Sequence, residues 1–311
     1  MSRLWLVVAF LLSSAGVWAQ DSIPACCLPE SPSEVLSEGF LPARFLLRVQ
    51  GRDVMPGSFV NTSENRLSDP LHSLDGFFSK LALGGRQVRI VHIGDSHVRG
   101  HAFPKAVKEC FERDFGGQAV VHSDFGYRDS GVARETGLPG PIYDVVAVNG
   151  ATAGRFDTPE NIEMVGSLRP DLVIVSFGTN EAHTWRYDMA AHRRELRLLV
   201  EDVRRACPDA AVLLTTPPGA CRGRRGGRRV NPNTPLAVRV VGDFARDFGM
   251  ALWDLYDIVG GERFAVRNWQ DAGLMRRDGI HFSLEGYLLQ GRLLYEALIN
   301  EYNDYVGNRM D

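Results

Sequence analysis

The chain has 311 residues, of which 44% are hydrophobic, and this length suits one large α/β domain or two small ones. Its 35 basic and 38 acidic residues give a formal net charge of −3, which argues against a general nucleic-acid-binding protein. The five cysteines lack the spacing of a metal site, and their odd number leaves at least one thiol unpaired.

The N-terminus has the pattern of a secretory signal peptide. Arg3 precedes an apolar run from Leu4 to Leu12, and small residues then lead to Val17-Trp18-Ala19. The run is too short for a comfortable membrane span, and no other run reaches about 18 apolar residues. We therefore expect residues 1–19 to be a cleaved signal peptide that exports the protein to the periplasm or the cell exterior, without stable membrane insertion.

Residues 20–69 are rich in Pro, Ser and Asn and show little periodicity, so they predict an extended N-terminal arm. Apolar residues then recur at helical spacing from Leu74 to Leu81, and Gly84-Gly85 follows as a stop signal. Residues 70–311 are predicted to form one domain, because no linker divides them.

Within that domain, short β-branched runs alternate with helical patterns. The predicted strands are Val88–Ile93, Val120–Val121, Val145–Val148, Leu172–Val175 and Val212–Leu214. The predicted helices are Ala102–Phe115, Ile162–Leu168, Met189–Cys207, Leu236–Phe248 and Leu284–Tyr302. Nearly continuous apolar runs are typical of strands that helices cover on both faces. The alternation predicts a three-layer, doubly wound α/β fold with a mostly parallel sheet of about five strands flanked by helices.

In such a sheet, ligands lie beyond the carboxyl ends of the strands. The first predicted strand runs directly into Gly94-Asp95-Ser96-His97. Gly94 allows a tight turn, Asp95 could cap the next helix, and Ser96 would stand where backbone N–H groups stabilise an anion. By itself the motif favours an ordinary turn, because Gly-Asp-Ser is common in turns.

A second motif, Asp278-Gly279-Ile280-His281, precedes the last predicted helix. An aspartate three residues before a histidine can accept from the imidazole Nδ1–H, which leaves Nε2 free to take a serine proton. The same segment could equally be a helix-entry turn with Ser283 as the N-cap.

Two further strand ends carry possible oxyanion donors. Asn180 follows the strand Leu172–Val175 and could offer its side-chain amide, and Gly150 follows Val145–Val148 and could offer its backbone N–H. Each residue is also common in plain loops. Together the motifs supply a nucleophile, an oriented base and two oxyanion donors, which are the groups that acyl transfer requires.

With these residues the chain resembles the SGNH hydrolase superfamily, the GDSL-type esterases, which is named for four separated blocks. The Ser, Gly, Asn and His of the family correspond to Ser96, Gly150, Asn180 and His281, and Asp278 completes a triad. The resemblance covers the chain from about residue 88 to residue 302 and implies a flavodoxin-like SGNH hydrolase fold.

The sequence departs from the family pattern at two positions. His97 stands where the first block usually has Leu, and Glu181 stands where the third block usually has Asp. Neither departure removes a group that the mechanism requires. Within the superfamily, the Gly-Asp-Ser-His, Asn-Gly-Ala and Asp-Gly-Ile-His-Phe segments look like those of the bacterial peptidoglycan O-acetylesterases and O-acetyltransferases.

The resemblance implies an exported serine esterase that hydrolyses O-acyl esters, in particular O-acetyl esters, on a carbohydrate or cell-wall glycan. Ser96, Asp278 and His281 would be catalytic, and Ser96, Gly150 and Asn180 would form the oxyanion hole. No metal or organic cofactor is needed. An O-acetyltransferase on the same site, a lipase or thioesterase with a long apolar groove, and a non-catalytic glycan-binding module remain alternatives, and the oligomeric state is open.

Five residues are candidate substrate contacts. Arg222 and Arg224 lie in an arginine-rich run beyond a strand end and could hold carboxylates or phosphates, although a solvated loop is equally compatible. Trp185 and Trp269 could stack on sugar rings, although packing is the more frequent fate of a lone Trp. His97 could line the pocket.

Overall fold

The structure is a computed structural model that describes residues 48–121, 131–223 and 227–308. The predicted signal peptide, the first part of the predicted arm and Arg224 lie outside the described residues. In the described part of the chain, no helix is both long and apolar enough to cross a membrane.

The strands and helices alternate along the chain. The strands are β1 (Gln87–Gly94), β2 (Gly140–Ala147), β3 (Leu172–Ser176), β4 (Ala211–Thr215), β5 (Cys221–Arg222), β6 (Arg229–Val230) and β7 (Ala251–Trp253). The helices are α1 (Asp75–Leu83), α2 (Ser96–Arg99), α3 (Ala102–Phe115), α4 (Ala153–Phe156), α5 (Pro159–Ser167), α6 (Thr179–His183), α7 (Met189–Ala206), α8 (Thr234–Asp247), α9 (Leu255–Ile258), α10 (Gly261–Asp271) and α11 (Leu284–Gly307).

Five strands form one sheet in the order β2-β1-β3-β4-β7, and every neighbouring pair is parallel. Successive residues of β1 point to opposite faces, as strand geometry requires. Ile90 belongs to the core that contains α3 and α11 residues such as Phe111 and Leu293, whereas Val91 belongs to the core that contains the α7 residue Leu199. The predicted three-layer, doubly wound fold is therefore confirmed.

Two strand predictions differ from the structure. Val120 forms only an isolated bridge with Glu135, and the fifth strand of the sheet is β7, which was not predicted. At three residues, β7 is too short to produce a recognisable pattern. Strand β2 also begins at Gly140 rather than at the predicted Val145, because the buried Asp144 interrupts its apolar run.

Asp144 is tolerated in β2 because its charge is paired. Its Oδ2 accepts from Arg89 Nη1 at 2.5 Å, and its Oδ1 accepts from the N–H of Ala133 at 2.6 Å. A buried carboxylate needs such partners, since an unpaired buried charge is strongly destabilising.

The described part of the predicted arm packs against the domain. Ser68 and Leu252 exchange two backbone hydrogen bonds of 2.9 Å each, so the arm covers the outer edge of β7. Asn65 Oδ1 accepts from the indole Nε1 of Trp253 at 3.0 Å, and Asn303 of α11 exchanges two hydrogen bonds with the backbone of Val49. A covered edge cannot pair with another strand, which protects the sheet from aggregation.

The carboxyl ends of the central strands meet at one edge of the sheet. Gly94, the last residue of β1, is in register with Ala147 of β2 and Ser176 of β3. A Cβ on Gly94 would lie 2.5 Å from Val98 Cγ2 and 2.8 Å from the Ser176 carbonyl, so only glycine fits there. The loops that follow β1, β2 and β3 therefore all begin at the same edge.

Candidate active site

Ser96 is the first residue of α2, directly beyond β1. The Asp95 carboxylate caps this turn by accepting from the N–H of His97 at 2.9 Å. The Ser96 N–H has no hydrogen-bond acceptor among the described residues, so it is available to an incoming anion. The short β1–α2 connection thus presents a hydroxyl and a free backbone donor on the same residue.

Ser96, His281 and Asp278 form a continuous chain of hydrogen bonds. Ser96 Oγ lies 3.0 Å from His281 Nε2, and His281 Nδ1 lies 2.9 Å from Asp278 Oδ2. Because Nδ1–H donates to the carboxylate, Nε2 is the acceptor for the serine hydroxyl. This is the arrangement in which an imidazole can remove the proton of an attacking serine.

Asp278 also organises its own turn. Its Oδ1 accepts from the N–H groups of Ile280 and His281, each at 2.8 Å. Partial burial acts to raise the pKa of Asp278, but these two N–H groups and the imidazole outweigh that effect and hold the pKa below its ordinary value. The carboxylate therefore stays ionised and fixes the orientation of the His281 ring.

The turn that carries His281 is also the entry to α11. Ser283 is the N-cap of that helix, and its Oγ accepts from the N–H of Gly286 at 3.1 Å. The two interpretations of this segment are therefore compatible, since one turn starts the helix and presents the Asp–His pair.

Gly150 lies in the loop after β2 and adopts a left-handed conformation with φ of 71°. A Cβ at this position would meet nothing within 4 Å, so the conformation rather than the space favours glycine. Its N–H has no hydrogen-bond acceptor among the residues that the structure describes. It is therefore a free donor at the same sheet edge as Ser96.

Asn180, in α6, connects the loops beyond β1, β2 and β3. Its Nδ2 donates to Asp95 Oδ2 and to the carbonyl oxygen of Ala151, both at 2.9 Å. An amide nitrogen has two hydrogens, so both are engaged in this structure. Donation to an oxyanion requires one of these hydrogens to be shared or released, and the predicted oxyanion role of Asn180 stays a prediction.

Glu181, which departs from the family pattern at this position, has a structural role in the site. Its side chain is buried; Oε1 accepts from the N–H of Ala153 at 2.7 Å, and Oε2 accepts from the N–H of Gly178 at 2.8 Å. The carboxylate thereby joins the loop that carries Gly150 to the start of α6, the helix that carries Asn180. The substitution of Glu for the usual Asp was the signal that could have identified it.

Two buried carboxyl groups thus lie next to the candidate oxyanion donors. Burial raises the pKa of Asp95 to about 7, against the opposing effect of its hydrogen bond from the His97 N–H. Burial likewise raises the pKa of Glu181 to about 7, although two backbone N–H groups act to lower it. The ionised forms are therefore less favourable in the folded protein than in water.

The two histidines near the nucleophile are structural. His92 is fully buried and lies between Tyr143 Oη at 2.8 Å and Ser176 Oγ at 2.7 Å, so both of its ring nitrogens have partners inside the protein. His97 is 6% exposed, its Nδ1 lies 3.0 Å from Tyr287 Oη, and burial lowers its pKa to about 3. Its ring contacts that of His281, with 5.5 Å between centroids, and the predicted contact of His97 with substrate stays a prediction.

The two candidate sugar-stacking tryptophans differ in burial. Trp269 is fully buried, its indole Nε1 donates to the Pro218 carbonyl at 3.0 Å, and its ring packs on Phe59 and Phe282. The prediction that Trp269 contacts substrate is therefore wrong. Trp185 is 86% exposed in the connection between α6 and α7, so its predicted contact with a sugar remains open.

An open cavity of about 780 Å³ lies beside the candidate oxyanion donors Gly150 and Asn180. Most of its lining side chains are polar or charged, including Arg155, Arg186, Tyr187, Asp188 and Glu195. Such a cavity suits a polar ligand that forms many hydrogen bonds better than an acyl chain.

The predicted arginine contact Arg222 lies in the β5–β6 hairpin, which packs on the turn that carries Asp278 and His281. The N–H of Cys221 donates to the carbonyl oxygen of Gly279 at 2.6 Å. The carbonyl oxygen of Cys221 also lies 3.1 Å from Nε2 of the His183 imidazole. Arg222 is therefore next to the site, at the side of the candidate base.

The chain matches the model of one protein family, and its fold is similar to the folds of solved structures. The model of the GDSL-like lipase/acylhydrolase family matches residues 93–289, a range that contains Ser96, Gly150, Asn180, Asp278 and His281. No curated protein sequence matches the chain. The solved structure of a peptidoglycan O-acetylesterase is 18% identical, with a TM-score of 0.63 over 76% of this chain and 99% of that chain. A lipase/acylhydrolase from Enterococcus faecalis is 22% identical, with a TM-score of 0.48 over 69% of this chain and 96% of that one.

Proposed function

Because the chain belongs to the GDSL-like lipase/acylhydrolase family, we propose that it is an exported serine esterase that removes O-acetyl groups from a carbohydrate or cell-wall glycan. The observation that carries this proposal is the pair of hydrogen bonds that joins Ser96 Oγ to His281 Nε2 and His281 Nδ1 to Asp278. The signal-peptide pattern of residues 1–19 supports export.

In the proposed reaction, His281 Nε2 takes the proton of Ser96 as Oγ attacks the acyl carbonyl. The carbonyl oxygen becomes an oxyanion, which the N–H groups of Ser96 and Gly150 and the Asn180 amide stabilise. His281 then gives its proton to the leaving alcohol. A water molecule, deprotonated by the same imidazole, then attacks the acyl carbonyl; the acyl–Oγ bond breaks, the acyl group leaves as the acid, and His281 returns the proton to Ser96 Oγ.

The surroundings of the site support a carbohydrate rather than a lipid substrate. A lipase or thioesterase would need a long apolar groove, whereas the cavity beside Gly150 is lined mainly by polar side chains. The exposed ring of Trp185 is adjacent in sequence to two residues of that cavity, Thr184 and Arg186, and could stack on a sugar. Peptidoglycan is proposed as the glycan because a peptidoglycan O-acetylesterase shares the fold.

Hydrolysis is favoured over transfer because the candidate base is open to solvent. The side chains of His281 and Asp278 are 34% and 43% exposed, so water can reach the imidazole. A transferase has to keep water away from the acyl-enzyme until an acceptor binds.

The proposal is tested by labelling with a fluorophosphonate and by acetate release from p-nitrophenyl acetate, O-acetylated peptidoglycan and acetylated xylan. We expect wild-type protein to be labelled and to release acetate, and Ser96→Ala to do neither. Ser167→Ala, a substitution of an exposed serine on α5, is the matched control and should behave as wild type. Labelling of Ser96→Ala, or no acetate release by folded wild-type protein, would refute the proposal.

A further inference from the structure

Five arginines lie in the β5–β6 hairpin and in the turn segment that carries the candidate base. This arginine cluster consists of Arg222, Arg228, Arg229, Arg276 and Arg277. It is held together by hydrogen bonds between the hairpin and the turn, because the Cys221 N–H donates to the Gly279 carbonyl and Arg228 Nη1 donates to the Arg277 carbonyl. The cluster is thus one continuous feature, although its members come from two separate segments.

The cluster directly adjoins His281. The N–H of Arg276 donates to the carbonyl oxygen of His281 at 2.8 Å, and Arg277 is followed at once by Asp278. In ester hydrolysis the imidazole must reach the oxygen of the leaving alcohol. The alcohol portion of the substrate therefore lies on the His281 side of the site, next to the cluster.

The positive charge of the cluster is not neutralised within the described residues. None of its five guanidinium groups forms an ion pair there, whereas surface arginines elsewhere do, such as Arg193 with Asp247 and Arg267 with Asp271. Asp278, the acid within the same turn, is engaged by His281 and by two backbone N–H groups.

The hairpin also places two like charges opposite each other. Arg222 of β5 pairs directly with Arg229 of β6, so both side chains project from the same face of the ribbon. Like charges in directly opposite positions destabilise a strand pair. An anion bound between the two guanidinium groups would remove that repulsion.

We propose that the arginine cluster binds negative charge on the alcohol portion of the substrate, so that the protein acts on an acylated glycan that carries carboxylate or phosphate groups. This inference rests on the proposed function for the position of the leaving alcohol. Guanidinium groups suit both anions, because their planar fork can donate two parallel hydrogen bonds to a carboxylate or to a phosphate. The common requirement is an oxyanion on the polymer near the ester.

Binding of unacetylated oligosaccharides separates this inference from the esterase proposal, because binding does not depend on catalysis. The probes are a uronic-acid oligosaccharide, a glycerol-phosphate oligomer and a neutral xylo-oligosaccharide, measured by calorimetry with wild-type protein. We expect at least one anionic probe to bind more tightly than the neutral probe, with an affinity that falls as salt rises. The anionic probe that binds more tightly identifies the carboxylate or phosphate source.

The double variant Arg222→Gln/Arg229→Gln should lower the preference for anionic over neutral oligosaccharide by about tenfold or more, because two charge-assisted contacts are lost. The preference in kcat/KM between acetylated anionic and neutral glycans should fall to a similar extent. The matched control is Arg204→Gln/Arg205→Gln, which removes the same charge at the end of α7, just before the amino end of β4. This control should keep the wild-type preference.

Equal binding of anionic and neutral probes by wild-type protein would overturn the inference, whatever the enzymatic activity. An equal loss of preference in the control variant would also overturn it, since the effect would then reflect net charge alone. Salt-sensitive anion binding without acetate release from any substrate would support the cluster as a binding site and refute only the esterase proposal.

Discussion

The candidate base and the candidate oxyanion donors are positioned in two different ways. Asp278 and His281 come from a single turn, and the hydrogen bonds that orient the imidazole lie within four consecutive residues. Gly150 and Asn180 follow two different strands, β2 and β3, and buried carboxylates connect their loops. On the base side, which consists of Asp278 and His281, the side chains are 43% and 34% exposed. On the oxyanion side, which consists of Gly150 and Asn180, the carboxylates that connect the two segments are buried.

This difference implies different sensitivities to substitution. On the base side, a change should affect the chemistry and leave the rest of the fold intact, because few long-range contacts depend on Asp278. On the oxyanion side, Glu181 supports two loops at once, so a change there should affect both catalysis and stability.

The largest expected effect is that of Asp278→Asn on the base side. The asparagine amide would no longer hold Nδ1–H of His281, so the imidazole would lose its productive tautomer and kcat should fall on the order of 10⁴-fold. Steady-state kinetics on p-nitrophenyl acetate measure this change, and thermal unfolding should show a folded protein. Asp271→Asn, at the end of α10, is the control for loss of an exposed carboxylate. A decrease in kcat of less than tenfold would contradict the assigned role of Asp278.

A smaller effect is expected from Glu181→Gln on the oxyanion side. Its amide group would face the N–H of either Gly178 or Ala153, which leaves one buried donor without an acceptor. Displacement of the Gly150 and Asn180 loops should lower kcat about 10²-fold, with a smaller change in KM.

Glu181→Asp distinguishes positioning from a general loss of stability, because it keeps the carboxylate and supplies the residue usual in the family. It should recover part of the lost kcat. Glu160→Gln, on the exposed first turn of α5, is the matched control for the same change of side chain. A normal kcat in Glu181→Gln together with reduced stability would show that Glu181 has only a structural role.

The smallest expected effect is on how stability changes with pH. The pKa of Glu181 rises from its ordinary value of 4.5 to about 7 in the folded protein because of burial. A raised folded-state pKa contributes stability that is fully present below the unfolded pKa and is lost as the pH rises through the folded pKa. Between pH 5 and pH 7, the free energy of unfolding of wild type should therefore decrease by about 2 kcal/mol relative to Glu181→Gln.

Urea denaturation of both proteins at several pH values measures this difference directly. The comparison cancels the buried histidines His92 and His97, whose lowered pKa values act in the opposite direction and are common to both proteins. A difference that stays constant from pH 5 to pH 7 would show that the Glu181 carboxyl is not perturbed by burial. Asp278→Asn should not reproduce this pH dependence, because the folded pKa of Asp278 is shifted in the other direction.

Much of the fold could be predicted because hydrophobic periodicity reports local structure. Helix α3 begins and ends at the predicted residues, and β1, β3 and β4 differ from the predicted strands by one or two residues. The alternation of strands and helices then implied a parallel sheet, since parallel strands need crossover connections. The prediction failed for β7, which has three residues, and for the start of β2, where the buried Asp144 resembles a surface residue.

The sequence by itself determined which chemical groups form the site and how Asp278 and His281 are arranged within their turn. An aspartate three residues before a histidine predicts that Asp278 accepts from the His281 imidazole, whereas the hydrogen bond from the His281 backbone N–H was found only in the structure. The carboxyl-end rule for parallel sheets further indicated that Ser96, Gly150 and Asn180 would reach the same edge.

Only the tertiary structure decided which of these groups are free, which are engaged and which side chains reach solvent. It shows that both amide hydrogens of Asn180 are used, that Glu181 connects two loops, and that Trp269 is buried while Trp185 is exposed. The physical reason is that burial and hydrogen-bond partners depend on contacts between segments far apart in the chain. Periodicity and short motifs report only the neighbours of each residue along the backbone.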